Sequence, residues 1–236
     1  MEFAGRSIVL TGVGREGQVG EAVAQAFAEH GARVFLVDHI EENVRARAEA
    51  LLARGLRAAY LAADLTDVAA TMTLAERVRD ATAGRVHAVV HLAGGFAMSG
   101  PVADSDPAIW QRQLAMNATT AYLTARAFLP SLRTAKGSLV FFASEAVLPG
   151  ARATNVSAYV ASKSAVVALM QAIAQEEHAH GVRANAVAPA TIRTTANIAA
   201  MGAEMPMVTR EAVADVVLWL CSDAARAVNG QLVPVR

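Results

Sequence analysis

The stretch Ser7-Ile8-Val9-Leu10-Thr11-Gly12-Val13-Gly14-Arg15-Glu16-Gly17-Gln18-Val19-Gly20 decides the fold. An apolar, β-branched run stops at Thr11, a glycine-rich turn follows, and Val19, Val23 and Phe27 open a helical recurrence. Strand, tight turn and helix in that order are the first half of a βαβ unit. Gly12, Gly14 and Gly17 satisfy G-x-G-x-x-G, a spacing that lets backbone amides approach a pyrophosphate at a helix N-terminus. Alone the motif is weak. An acid about 20 residues further on strengthens it, and Asp38 closes the next strand-like run, Val34-Phe35-Leu36-Val37-Asp38.

A carboxylate at Asp38 can accept hydrogen bonds from an adenosine ribose and repels a 2′-phosphate, which favours NAD over NADP. Arg15 leaves NADP open, because an arginine near the ribose accommodates the extra phosphate. The competing reading of Asp38 is a helix N-cap just ahead of Glu41 and Glu42.

Outward from this unit, further strand-like runs lie at 33–37, 58–61, 86–92, 138–143, 182–187 and 231–235. Helical patterns fill the intervals at 19–30, 41–54, 68–83, 107–132, 157–180 and 210–222. The runs are continuously apolar, as strands are when helices cover both faces of their sheet. Strict alternation predicts an α/β fold, a doubly wound parallel sheet of about seven strands with right-handed crossovers. No repeat or composition shift divides the chain, so residues 1–236 are expected to form one domain. The patterns at 107–132 and 157–180 are apolar on several faces, which predicts a homo-oligomer, dimer or tetramer, built on those helices.

Tyr159-Val160-Ala161-Ser162-Lys163 opens the helix at 157–180. Residues four apart share a helix face, so Tyr159 and Lys163 can reach one ligand. A free phenol has a pKa of about 10, and a nearby ammonium is expected to lower it into the range useful for proton exchange. Tyr-x-x-x-Lys also arises by chance on surface helices, so the rest of the chain has to support it.

The 236 residues carry zero net charge and no basic block, which argues against nucleic acid as a partner. The one cysteine, Cys221, excludes an internal disulfide and suits a reducing cytoplasm. The N-terminus runs straight into a strand, so no signal peptide is expected, and no apolar run is expected to reach the roughly 18 residues of a membrane helix. Of 21 basic residues only Lys136 and Lys163 are lysines, so one of the two sits in the Tyr-x-x-x-Lys pair.

Together the Thr11-Gly12 loop, Asp38, Asp64-Leu65-Thr66, Ala93-Gly94, Asn117, Ser144, Tyr159 with Lys163, Pro189 and Asn229-Gly230-Gln231 resemble the short-chain dehydrogenase/reductase family over nearly the whole chain. The resemblance implies a three-layer Rossmann fold and a nicotinamide-dependent exchange between a secondary alcohol and a ketone. It implies that Tyr159 is the acid/base, that Lys163 lowers its pKa and holds the nicotinamide ribose, and that Ser144 binds the carbonyl oxygen. Asn117 would position a water relaying protons from Lys163. Cofactor contacts would come from Gly12, Arg15, Gln18 and Val19 in the loop, Asp38, Asp64 and Leu65 at the adenosine end, and Ala93 and Gly94 after the fourth strand. Pro189, Ile192 and Thr194 would contact the nicotinamide side. The stretch 195–209, with Met201, Met205 and Met207, would be the substrate lid, against the alternative of a partly disordered surface loop.

The departures from the family pattern are local. If the helix sets the register, Gly12 and Gly20 are the first and last loop glycines, eight apart rather than six, with Gln18 at the middle position. That longer loop is similar to those of enoyl-acyl-carrier-protein reductases, but these place a tyrosine seven before the lysine, where this chain has Val156. His91-Leu92 replaces the usual Asn-Asn, and His91 is expected to tie its strand to neighbours through a ring nitrogen. Ser144 and Tyr159 are fifteen positions apart, about two more than usual, which places a small insertion around 152–155 and reshapes the pocket rim. Arg152 and Arg193 near the mouth are solvated rim charges or anchors for a carboxylate or phosphate. His178 and His180, two apart on a helix, point to different sides and are not expected to bind metal. The rival functions are a dinucleotide-binding scaffold without turnover and an enoyl reductase on the same fold.

Overall fold

The computed structural model describes residues 2–236. Seven parallel strands form one sheet: β1 (Ser7–Thr11), β2 (Arg33–Asp38), β3 (Arg57–Ala62), β4 (Ala88–His91), β5 (Ser138–Phe142), β6 (Arg183–Pro189) and β7 (Leu232–Val235), in the order β3-β2-β1-β4-β5-β6-β7. Alternate residues of each strand enter opposite faces. Ile8 and Leu10 join one core with Val23 and Phe27 of α1 (Val19–Glu29), Val44 and Leu51 of α2 (Glu41–Ala53), and Val217 and Leu220 of α8 (Arg210–Cys221). Val9 joins the other with Leu74 and Val78 of α3 (Val68–Ala81), Phe128 and Leu132 of α5 (Thr120–Ala135), and Met170 and Ile173 of α6 (Ser157–Glu176). The Rossmann-type architecture is the one the strand–helix alternation predicts.

The strand order reverses between β1 and β4, so the connections leaving their carboxyl ends run to opposite faces and open a crevice there. Thr11 is paired with both Val37 and His91, which brings the ends of β1, β2 and β4 to the same level. Helix starts follow local capping chemistry: Asp67 accepts from the Ala70 amide at 2.7 Å, and Asp106 accepts from Ala108 beside Pro107 at the first turn of α4 (Pro107–Gln113).

Two elements differ from the sequence expectation. The pattern at 107–132 is not one regular helix, because α4 passes into a π-helical turn, Leu114–Thr119, before α5. There the Thr120 amide donates to the Ala115 carbonyl, five residues back. The second difference is α6, which at 20 residues is long and apolar enough to cross a membrane by length and composition, against the expectation of no such run. Here it is a core helix: Val166, Met170 and Ile173 are buried beneath the sheet.

Candidate active site

His91 ends β4 fully buried, and both ring nitrogens are paired: Nδ1 with the Thr11 hydroxyl at 3.0 Å and Nε2 with the Thr120 hydroxyl at 3.2 Å. The surrounding bonds select one tautomer. The Ala93 amide donates to Thr11 Oγ1 at 3.3 Å, so the Thr11 hydroxyl can donate to Nδ1. Thr120 Oγ1 donates to the Met116 carbonyl at 2.7 Å, which leaves it to accept from Nε2–H. This chain stitches β1, β4 and α5 together immediately behind the crevice, as expected of His91 but through two partners. Burial and the nearby Lys163 charge push its pKa down to about 3, so the ring is neutral.

Asn117 sits on the π turn and is 1% exposed. The wide turn aims its amide at the loop after β4: Oδ1 accepts from the Gly95 amide at 3.0 Å, and Nδ2 donates to the Gly95 carbonyl at 3.0 Å. Nδ2 also contacts Ser162 Oγ at 3.0 Å and Gln113 Oε1 at 3.2 Å. Lys163 is buried, and its Nζ donates to the Phe142 carbonyl at 2.7 Å. Asn117 Oδ1 and Lys163 Nζ converge on Gly94: a Cβ there would meet them at 2.5 and 3.3 Å. Burial lowers the Lys163 pKa to about 8.

Tyr159 lies one helical turn before Lys163 on the same helix, with Ser144 as the polar side chain beside its phenol. Burial raises the Tyr159 pKa above that of a free phenol, and the Ser144 contact offsets part of the rise. This corrects the expectation that Lys163 lowers it: the ammonium faces the Phe142 carbonyl, and desolvation of the phenol dominates. Ser144 Oγ also accepts from the Ala146 amide at 3.2 Å, which fixes the serine at the end of β5.

On the cofactor side, Gly20 takes the last-glycine position, since a Cβ there would lie 2.7 Å from the Gly12 carbonyl, and so close an approach of α1 to β1 needs glycine. Gly14 backs directly onto Asp38, whose Cγ lies 2.6 Å from where a Cβ would be. Asp38 does not cap α2: Ile40 holds that position, and Asp38 Oδ1 receives the Ile40 amide at 3.3 Å and His39 Nδ1 at 3.0 Å. The N-terminus of α1 at Gln18 and Val19 has no side-chain cap, a donor set suited to a pyrophosphate. Arg15 stands exposed on the same loop. Asp64 is exposed, with Oδ1 taken by the Thr66 amide and hydroxyl at 2.8 and 2.6 Å, while Leu65 beside it is buried. The residues present therefore fit a dinucleotide at both ends.

The extra loop residues reach the lid, a link that motif reading missed. Gly17, at φ +69°, accepts from the Thr195 amide at 3.1 Å, and a Cβ would lie 2.0 Å from Thr195 Oγ1. Its amide donates to Glu21 at 2.8 Å, and Glu21 pairs with Arg47 at 2.6 Å and Arg210 at 3.5 Å. Thr195 and Arg210 flank the lid, so Gly17 is joined to both of its ends. The lid carries a seven-residue helix, α7 (Thr195–Met201), capped by the Thr194 hydroxyl on the Asn197 amide at 3.1 Å. Pro189 ends β6, and Ile192 bridges to Val208, closing the lid's base. Arg193 donates to the Ala203 carbonyl at 3.0 Å and so braces the lid, while Arg152 is exposed.

A family model described as enoyl-(acyl carrier protein) reductase matches residues 12–236. The chain is 34% identical to 2-(S)-hydroxypropyl-CoM dehydrogenase 3 of Xanthobacter autotrophicus, over 94% of this chain and 92% of the relative. It is 33% identical to galactitol 2-dehydrogenase of Rhizobium johnstonii, over 98% of this chain and 93% of the relative. Among solved structures it superposes on a short-chain type dehydrogenase/reductase from Mycobacterium ulcerans with a TM-score of 0.91 and 30% identity, covering 100% of this chain and 90% of the other.

Proposed function

Because the chain belongs to the short-chain dehydrogenase/reductase family, we propose that Tyr159 is the acid/base of its NAD(P)-dependent interconversion of secondary alcohols and ketones. The oxidoreductase activity itself follows from the family and from relatives named as dehydrogenases. The observation that carries the assignment is the meeting of Lys163 Nζ and Asn117 Oδ1 at Gly94, with Tyr159 one helical turn before Lys163 and Ser144 beside its phenol.

A nicotinamide held here would supply or take the hydride. Tyr159, its pKa raised, holds its proton at neutral pH and donates it as negative charge grows on a substrate oxygen. The Ser144 hydroxyl donates to that same oxygen and stabilises its charge. Lys163, with a pKa near 8, can supply the proton that replaces the one Tyr159 gives up, and Asn117, which meets it at Gly94, would position the water that relays protons to and from Lys163. In alcohol oxidation the same path runs outward.

The dinucleotide is NAD rather than NADP: Asp38, pressed against Gly14, sets a carboxylate where a 2′-phosphate would be repelled. Gly12, Gln18 and Val19 face the pyrophosphate, with Arg15 at its edge; Asp64 and Leu65 flank the adenine; Ala93, Gly94, Pro189, Ile192 and Thr194 line the nicotinamide half. Trp110 on α4 and Tyr122 on α5 leave large aromatic surfaces exposed, which supports a homo-oligomer. The free, buried Cys221 is consistent with the reducing cytoplasm. Titration with NADH and NADPH followed by fluorescence tests the cofactor: NADH is expected to bind at least about tenfold more tightly. Equal or reversed affinity removes Asp38 as the discriminator.

Enoyl reduction is the second reading, favoured by the description of the matching family model. Val156 stands where that chemistry would need its tyrosine. An enoyl thioester turned over faster than any ketone would replace the first reading with this one.

A further inference from the structure

The segment Phe96-Ala97-Met98 spans the mouth above Tyr159 and is fastened at both ends. At one end the Asn117 amide grips the Gly95 amide and carbonyl at 3.0 Å each. Met116 packs directly against the Gly95 backbone, its Sδ 2.4 Å from where a Cβ would be. At the other end the Asn155 carbonyl accepts from the Ser99 and Gly100 amides at 2.8 and 3.2 Å. The Ser99 hydroxyl adds contacts to the Asn155 carbonyl at 3.3 Å and the Ser157 hydroxyl at 3.2 Å. Asn155 belongs to the extended stretch ahead of Tyr159 and adopts φ +64°, a conformation that asparagine tolerates better than most residues. The insertion thus makes one side of a clasp.

Three residues between two fixed ends cannot fold their side chains into the core. Phe96 and Met98 remain 61% and 60% exposed, and the Phe96 ring still meets Tyr159 edge-on with centroids 5.0 Å apart. A large apolar surface held beside a reactive phenol is a surface prepared for a ligand. The rest of the mouth has the same character. Residues 92–102 include no charged side chain, and Val147 and Leu148 follow Ser144 on the facing loop. The Ser99 hydroxyl and the Asn155 backbone carbonyl are already paired with each other, which leaves the Asn155 side-chain amide as the polar group at the clasp. Glu145 faces Arg236 at 3.8 Å, and Arg152 lies out in solvent. Beyond Ser144, Tyr159 and the one amide of Asn155, this wall offers little for a polyhydroxylated substrate to hydrogen-bond.

We propose that Phe96 and Met98 form a preset apolar wall that selects secondary alcohols and ketones bearing a ring-sized apolar group, and discriminates against polyols. The proposal rests on Tyr159 being the acid/base. It separates this chain in specificity from the relative named for galactitol.

The test uses the full-length protein with NAD(H), cyclohexanol and methylcyclohexanols as one series, galactitol and sorbitol as a second, and 2-butanol as a small reference. Wild type is expected to favour the alicyclic series over the polyols by about 100-fold in kcat/KM. Phe96→Ala should lower alicyclic kcat/KM by about 30-fold, mainly through KM, and change 2-butanol by less than about threefold. Phe96→Leu should recover most of the loss. NADH affinity and circular dichroism, unchanged in both variants, show that the fold and the cofactor site persist. Met98→Ser should act in the same direction and more weakly, and serves if Phe96→Ala fails to fold. Preference for polyols, or equal losses on alicyclic and small substrates, overturns the wall while leaving Tyr159 in place. Turnover that survives Tyr159→Phe, or absent turnover of every alcohol with NAD⁺ although the cofactor binds, overturns the acid/base reading and the wall with it.

Discussion

The two halves of the crevice are built differently. On the β4–α6 side Asn117, Lys163 and His91 are buried, and their bonds run to backbone or to other buried side chains. On the β1–α1 side the glycine loop is partly open, bends through left-handed Gly12 and Gly17, and is held by partly buried carboxylate–arginine pairs that Glu21 makes. Buried, paired groups keep one geometry and shifted proton affinities, which suits proton transfer. Ion pairs that solvent still reaches, on an open loop, rearrange more readily than a fully buried network, which suits a loop that must admit and release a dinucleotide. Substitutions on the buried side should therefore fail abruptly, and those on the loop side by degrees.

Tyr159→Phe should produce the largest effect, a kcat loss of about 10³-fold with NADH affinity nearly unchanged. A loss below about tenfold would break the contrast at its centre. Lys163 sharpens it through pH: kcat/KM for alcohol oxidation should rise with an apparent pKa near 8, and Lys163→Met should remove that inflection.

His91 carries the same contrast into stability. Its native pKa of about 3 lies below the usual 6.5, so the unfolded chain binds the proton first as pH falls. The stabilisation is fully present above about pH 6.5 and declines toward pH 3. Between pH 7 and 5 the urea-unfolding free energy should drop by about 2 kcal/mol from this group, and His91→Asn should flatten that limb. An unchanged slope would mean that the ring is not held neutral.

On the loop side, Gly17→Ala forces a side chain into the left-handed region and against Thr195, and should weaken NADH binding by about tenfold. Adding Thr195→Ala should restore part of that, a coupling that additive losses would refute. Smallest of all, Asp38→Ala should erode the preference for NADH over NADPH by a few-fold without touching kcat.

Much of this was legible in the chain, and the residues show why. Strands such as Val34–Val37 are continuously apolar, so the layered sheet follows from local pattern alone. The eight-residue separation of Gly12 and Gly20 identified the glycine at which helix and strand touch, and the contact is there. The role of His91 as a tie was visible from what it replaces, but its partners Thr11 and Thr120 were not. The Gly17–Thr195 link and the Ser99–Asn155 clasp join residues far apart in sequence, and no local periodicity encodes such pairs. Nor does spacing reveal where an ammonium points. Lys163 shares a face with Tyr159 yet donates to Phe142, because a buried cation takes the nearest strong acceptor.

The π turn at Leu114–Thr119 has a consequence for how this helix tolerates change in length. A wide turn stores one residue more than an α-helical turn over the same rise, so its flanks keep the phase they would have without the surplus. Deletion of Ala118 can be absorbed by regularising the turn, leaving α4 and α5 seated as before. What vanishes is the outward swing that carries Asn117 to Gly95. Scaffold and chemistry here have separate length requirements, and a single residue divides them.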